Sequence, residues 1–339
     1  MTSETGCSIG VIGAGSWGTT LADLLAKKGH RVTLWAYEAE LVETMRAERV
    51  NNVFLPEIPL APTLSFTNSI AEAVAGKEMV LFVPPSQVLR RVLQQALPHL
   101  GPQALIATAS KGIETDTLLL VSQIFEELLP AAAYRRFAVL SGPSFAREVA
   151  AEAPTAVAVA AADAAVAEKL QQIFSTSFFR VYTNSDMIGV ELGGAVKNVI
   201  AIAAGIVDGL GFGHNTRAAL ITRGLAEISR LGQALGGEGA TFAGLAGMGD
   251  LVLTCTGDLS RNRTVGYKLG EGHSLQEILS GMRMVAEGVQ TTVSTWNLAQ
   301  RLGVDMPITE QVYRILYEGK SPRQAVIELM TRHPKPESR

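Results

Sequence analysis

The hexapeptide Gly13-Ala14-Gly15-Ser16-Trp17-Gly18 constrains this chain more than any other feature. It follows an apolar run, residues 8–12, that reads as a buried strand. It opens an amphipathic segment, residues 17–28, that reads as a helix stopped by Gly29. Between strand and helix the three glycines have separate duties. The first permits a tight turn, the second lets backbone approach a pyrophosphate, and the third lets the helix pack on the strand. The start of the helix then offers unpaired N–H groups to phosphate. A glycine-rich turn without a ligand is the competing reading, and the strand–turn–helix setting favours a dinucleotide.

Strand and helix patterns continue to alternate beyond Gly29. Residues 31–35, 79–83, 105–109 and 137–140 read as further strands, with helical patterns at 38–49, 87–97 and 118–129. Such alternation predicts right-handed crossovers and a parallel sheet covered on both faces. Segments 156–160 and 179–182, with a helix between, are expected to extend it. From about Ile188 strand-like runs disappear and Ala/Leu/Gly-rich helical patterns take over, among them 217–235, 289–302 and 309–317. A chain of 339 residues is also long for one ordinary core. The expected fold is therefore an α/β Rossmann-type parallel-sheet N-terminal domain, residues 1–188, with an all-α C-terminal domain, residues 189–339. The tail after Arg332 is expected to fray.

Composition excludes several function classes. A formal charge of -3 gives no pull toward nucleic acid or an anionic membrane. Cys7 and Cys255 are the only cysteines, too few for a disulfide framework or a four-cysteine zinc site, and the five histidines show no ligand spacing. No metal is expected. The N-terminus lacks a basic region leading into an apolar run. The longest apolar stretch, 188–210, is interrupted by Glu191, Lys197, Asn198 and Asp208, which argues against a membrane span. A soluble, cytoplasmic protein without integral membrane contact is expected.

Candidate chemistry lies at strand ends and on that apolar stretch. Tyr37-Glu38 follows the second strand, where an acidic residue would bond a ribose hydroxyl and an Arg would hold a 2′-phosphate. Glu38 reads equally as a solvated helix residue, so the choice between NAD and NADP stays open. Lys111, in Ser110-Lys111-Gly112, and the segment Ser141-Gly142-Pro143-Ser144-Phe145-Ala146 both stand at carboxyl ends of strands, where open α/β sheets bind ligands. Lys197, in Glu191-Leu192-Gly193-Gly194-Ala195-Val196-Lys197-Asn198, sits on a helix apolar on every side. A lone buried ammonium is unstable, so it requires an anion, a lowered pKa or a polar cleft. An ion pair with Glu191 competes with a catalytic role. Arg261, beside Asn262, is suited to forked recognition of phosphate, although Arg-Asn-Arg is also an ordinary surface string.

In order along the chain, GAGSWG, SKG, SGPSFA, ELGGAVKN, Gly247-Met248-Gly249-Asp250-Leu251, Ser260-Arg261-Asn262-Arg263 and Val285-Ala286-Glu287-Gly288 closely resemble bacterial NAD(P)-dependent sn-glycerol-3-phosphate dehydrogenases, from Ile9 to about Gly319. The resemblance implies reversible hydride transfer between NADH or NADPH and dihydroxyacetone phosphate, a small phosphorylated substrate. The product, sn-glycerol 3-phosphate, would feed glycerophospholipid synthesis. Lys197 would be the proton acceptor, with Lys111 a second catalytic cation. Lys111, Gly142, Ser144, Lys197, Asp250, Ser260, Arg261 and Asn262 would surround the substrate, with Thr254 beside them. Gly13, Gly15, Ser16, Trp17, Gly18, Tyr37, Lys111, Ala146, Arg261, Val285 and Glu287 would meet the cofactor. A homodimer is implied at the same level. Two positions depart from the family's usual pattern: Tyr37 stands where His or Arg is common, and Pro84-Pro85-Ser86-Gln87 replaces Pro-Ser-His. The rival readings are a 3-hydroxyacid-type dehydrogenase of the same architecture and a non-catalytic NAD(P)-sensing regulator.

Overall fold

The computed structural model describes residues 6–282, 286–334 and 336–337. Ten strands occur among them: β1 (Ser8–Ile12), β2 (Arg31–Trp35), β3 (Val50–Asn51), β4 (Leu55–Pro59), β5 (Ser65–Thr67), β6 (Met79–Phe82), β7 (Leu105–Thr108), β8 (Phe137–Ser141), β9 (Thr155–Ala161) and β10 (Phe179–Asn184). Eight form one sheet in the order β10-β9-β8-β7-β6-β1-β2-β5, and β3 and β4 form a separate hairpin. After β1 the chain moves outward to β2 and β5, then returns to place β6 on the other side of β1. The reversal makes a crevice at the carboxyl ends of β1 and β6, the usual ligand position in such sheets.

The sheet is parallel from β5 to β8, but β9 runs antiparallel to β8. β10 is parallel to β9, so the last two strands continue the sheet in the opposite sense. The cause is the connection through residues 142–154. Its only helix, Ala146–Ala150, rises about 7.5 Å, too little to carry the chain back along a strand of about 17 Å. The chain therefore turns back from the carboxyl edge.

No strand follows Asn184 among the described residues. The central helix, Met187–Gly209, is buried at every residue from Gly189 to Val207. Helices His214–Ala234, Asp250–Thr256, Arg261–Gly270 and Glu287–Leu302 pack around it. By length and composition it could cross a membrane, yet it is enclosed by protein on all sides. An all-round apolar helix is the expected centre of such a bundle.

The two cores exchange residues. Ile113 and Leu120, from the segment after β7, pack in the helical core, while Val190 and Ala246 pack under the sheet.

Candidate active site

Each glycine of the β1 turn meets a different steric demand. Gly13 has φ +117° and donates its N–H to the Trp35 carbonyl at 3.1 Å. A Cβ there would stand 2.9 Å from the Val83 carbonyl, at the end of β6. A Cβ on Gly18 would collide with the Gly13 carbonyl oxygen. Gly15 differs: its φ of -64° suits any residue, and a Cβ there would meet nothing within 4 Å. It caps helix Ser16–Lys27 without a side-chain bond, so no capping side chain covers the helix N-terminus. The hairpin β3–β4 braces this turn. Asn51 Nδ2 donates to the Ala14 carbonyl and to Thr19 Oγ1, both at 2.9 Å, and Ser16 Oγ donates to the Phe54 carbonyl at 2.5 Å.

An open backbone cradle at a helix N-terminus fits the pyrophosphate of a nicotinamide dinucleotide. A test separates the glycines. Gly15→Val is expected to keep the fold and lose NADPH binding, whereas Gly18→Val should also lower Tm. Isothermal titration beside a melting curve reads both, and unchanged affinity in Gly15→Val would remove the cofactor from this turn.

Trp17, Tyr37 and Ala146 lie around the cradle. The Trp17 ring leans on Phe179 at 6.4 Å, and the Ala146 carbonyl accepts from Thr20 Oγ1 at 3.2 Å. Tyr37 is 73% exposed and meets the edge of Trp35. Glu38 is exposed at the start of helix Ala39–Glu48. Neither makes an ion pair or ring–cation contact among the described residues.

The sheet and the helical half meet around one carboxylate. Asp250 is fully buried and begins helix Asp250–Thr256. One of its oxygens is 2.7 Å from Lys111 Nζ, and the other accepts from Lys197 Nζ. Lys111 comes from the end of β7 and Lys197 from the middle of the central helix, so one anion gathers cations from both halves. Gly193 and Gly194 make the approach possible. A Cβ on Gly193 would stand 2.5 Å from the Ala246 carbonyl, and one on Gly194 would strike Ser141 Oγ.

Burial pushes the Lys197 ammonium down to about 8; Asp250 opposes the shift, and the neighbouring Lys111 charge adds to it. Asp250, not Glu191, is thus the partner of Lys197. Glu191 accepts instead from the Ser122 backbone N–H at 3.1 Å, and burial raises its carboxyl to about 8. Six residues apart on a helix, the two side chains project about 120° from each other.

Lys111 Nζ also reaches the Gly142 carbonyl at 3.4 Å, where Ser144 Oγ donates at 3.0 Å. Thr254 Oγ1 donates to the Asp250 carbonyl at 2.6 Å. The next wall is helix Arg261–Gly270, capped by Ser260, whose hydroxyl accepts from Arg263 N–H at 3.2 Å. The Arg-Asn-Arg string divides three ways. Arg263 is bound to Asp208 and Asp258. Asn262 is buried, its Nδ2 donating to Asn198 Oδ1 and its Oδ1 accepting from Gly288 N–H, both at 2.9 Å. Arg261 is exposed and makes no hydrogen bond or ion pair among the described residues. Glu287, half-buried beside them, has its carboxyl raised by burial, with Arg261, Lys111 and Lys197 pulling the other way. Val285 lies outside the described residues.

Family models match most of the chain. The N-terminus of NAD-dependent glycerol-3-phosphate dehydrogenase matches residues 8–167, and its C-terminus matches residues 186–327. The chain belongs to the NAD-dependent glycerol-3-phosphate dehydrogenase family. Glycerol-3-phosphate dehydrogenase [NAD(P)+] of Geobacter metallireducens is 67% identical over 332 residues, covering 98% of this chain and 99% of that one. The one from Syntrophobacter fumaroxidans is 54% identical over 334 residues, covering 98% of each. The crystal structure of glycerol-3-phosphate dehydrogenase from Coxiella burnetii superposes with a TM-score of 0.90 at 44% identity, over 97% of this chain and all of that one. These likenesses favour the phosphorylated-substrate family over the hydroxyacid and regulator alternatives. A ketopantoate reductase from Ralstonia eutropha, at 17% identity and a TM-score of 0.59, shares the fold alone.

Sequence reasoning missed Asn51, and it named Gln87 only within a departure from the family's usual Pro-Ser-His. Both act through bonds to backbone far away in the chain, Asn51 on Ala14 and Gln87 on Ile113, and such bonds leave no local pattern.

Proposed function

We propose that this chain catalyses reversible hydride transfer between NADH or NADPH and dihydroxyacetone phosphate, giving sn-glycerol 3-phosphate. The observation that carries the reading is the buried Asp250 holding two ammonium groups beside an unengaged Arg261. A nicotinamide dinucleotide on the Gly13–Gly18 turn supplies or accepts the hydride. The protein's own groups do the rest. Lys197 exchanges the proton at the substrate oxygen, with its pKa lowered to about 8 so that ammonium and amine interconvert close to neutral pH. Lys111 holds Asp250 and adds positive charge where oxygen charge develops. The Arg261 fork and the backbone N–H groups of Arg261 and Asn262, which the Ser260 cap leaves to a ligand, receive the phosphate. Asn262 orients Asn198, leaving the Asn198 amide hydrogens for the substrate. Gly142, Ser144, Ser260 and Thr254 line the same cleft. The reading includes a division near residue 188 between cofactor-binding and substrate-binding domains. It takes the product into glycerophospholipid synthesis in the cytoplasm, with the resemblance in sequence as support.

The deciding assay is oxidation of NADPH and of NADH, each with and without dihydroxyacetone phosphate, followed by loss of reduced-nicotinamide absorbance. With Tyr37 and Glu38 exposed and no cation among the described residues paired with either, both cofactors are expected to turn over. A preference beyond about a thousandfold, roughly 4 kcal/mol, would refute dual use. No substrate-dependent oxidation with either cofactor would sink the assignment itself.

A further inference from the structure

Lys111 is bracketed by a single short segment, residues 84–90. On its amino side Ser110 Oγ donates to the Pro84 carbonyl at 2.6 Å. On its carboxyl side Gly112 takes φ +140° and lies so close to Ser86 that an added Cβ would strike the Ser86 hydroxyl. Beyond it, Gln87 grips the backbone twice. Its Nε2 donates to the Ile113 carbonyl at 2.8 Å, and its Oε1 accepts from the Thr115 N–H at 2.9 Å. Between those two points Glu114 is held by the Arg90 guanidinium at 2.9 Å. Gln87 is the second residue of helix Ser86–Ala96, which is anchored in the sheet half by the buried Leu89, Val92 and Leu93.

We propose that Gln87 is a positioning residue that sets Lys111 against Asp250 by fixing the backbone just beyond the Gly112 hinge. A primary amide is the side chain suited to the task, because it satisfies a carbonyl and an N–H on one extended stretch together. Without that grip Gly112, free to rotate where another residue would not be, no longer holds the Lys111 backbone in one place. The consequence reaches Lys197 through charge. Asp250 would face one cation where it now faces two, and Lys197 would lose the like charge that helps keep it deprotonated. Among the described residues, the titratable groups acting with Lys197 besides Asp250 and Lys111 are Glu287 and Cys255, and neither touches Gln87.

The inference rests on the proposed dehydrogenase activity and is tested with Gln87→Met, close in size but without either bond. Glycerol 3-phosphate oxidation is measured against pH in the variant and in the unmodified chain, beside NADPH affinity and Tm. The expected result is kcat/KM lowered about tenfold, NADPH affinity within about twofold, and the acid limb of the profile moved up by about half a pH unit or more. A lowered Tm with an unmoved acid limb would overturn the inference, leaving Gln87 a structural staple. If Gln87→Met does not fold, Gln87→Asn, a neutral amide one methylene too short to hold Ile113 and Thr115 together, is read by the same criteria. Absence of turnover in the unmodified chain would overturn the dehydrogenase reading and this inference together. Turnover there with no shift in the variant overturns this inference alone.

Discussion

Replacing Lys197 with methionine is expected to lower kcat by about a hundred- to ten-thousandfold at saturating dihydroxyacetone phosphate. Methionine keeps the apolar stem in its buried slot and removes the ammonium that shares Asp250 with Lys111. The competing role is charge neutralisation alone, and the two separate by which constant moves. Loss of proton transfer lowers kcat, whereas loss of a binding contact mainly raises KM. A folded variant that keeps most of its kcat would end the case for Lys197 as the proton-transfer group. The same reading sets a pH dependence. With the Lys197 pKa near 8, the amine is neutral above that value and charged below it. Oxidation of glycerol 3-phosphate, which needs a base, should rise with pH through about 8. Reduction of dihydroxyacetone phosphate, which needs an acid, should fall through the same region.

Arg261→Ala is expected to raise KM for dihydroxyacetone phosphate by about ten- to a hundredfold, since a hydrogen bond to a charged group contributes roughly 1.5–3 kcal/mol. Of the two arginines in its string, Arg261 is the one left unengaged, because Arg263 is paired with Asp208 and Asp258. Arg261→Lys should recover only part of the loss, because an ammonium lacks the planar fork. Steady-state kinetics at fixed NADPH measure both variants, and a wild-type KM in Arg261→Ala would place the phosphate elsewhere.

Much of this molecule was legible in the sequence because it follows from local spacing. The Gly13–Gly18 turn, strands β1, β2, β6, β7 and β8 and the all-apolar central helix all carry periodicity or a steric signature within a few residues. Direction does not. An apolar run such as β9 has the same pattern whichever way it points, and only the brevity of helix Ala146–Ala150 turns it antiparallel. Short elements were also hidden. β5 and the β3–β4 hairpin are too brief for a period to emerge, although the hairpin's Asn51 braces the Gly13–Gly18 turn. Lys197 announced itself as a charge on an apolar helix, but its anion did not. Asp250 lies 53 residues further along the chain, and the nearer Glu191 was the competing partner until the helix placed it on another face. The amide of Asn262 reads as a ligand contact in a motif, while in the fold it is engaged by Asn198 and Gly288.

The exchange of Ile113 and Leu120 into one core, and of Val190 and Ala246 into the other, bears on how the molecule comes apart. Heat or denaturant that loosens the helical bundle exposes the apolar underside of the segment that carries Lys111. Loosening the sheet does the same to the first turns of the helix that carries Lys197. Each half is part of the other's shield from water, and that shared apolar area couples their unfolding. The triangle of Lys111, Asp250 and Lys197 lies across the shared seam, so partial melting of either half would dismantle the proposed catalytic site while much secondary structure remained.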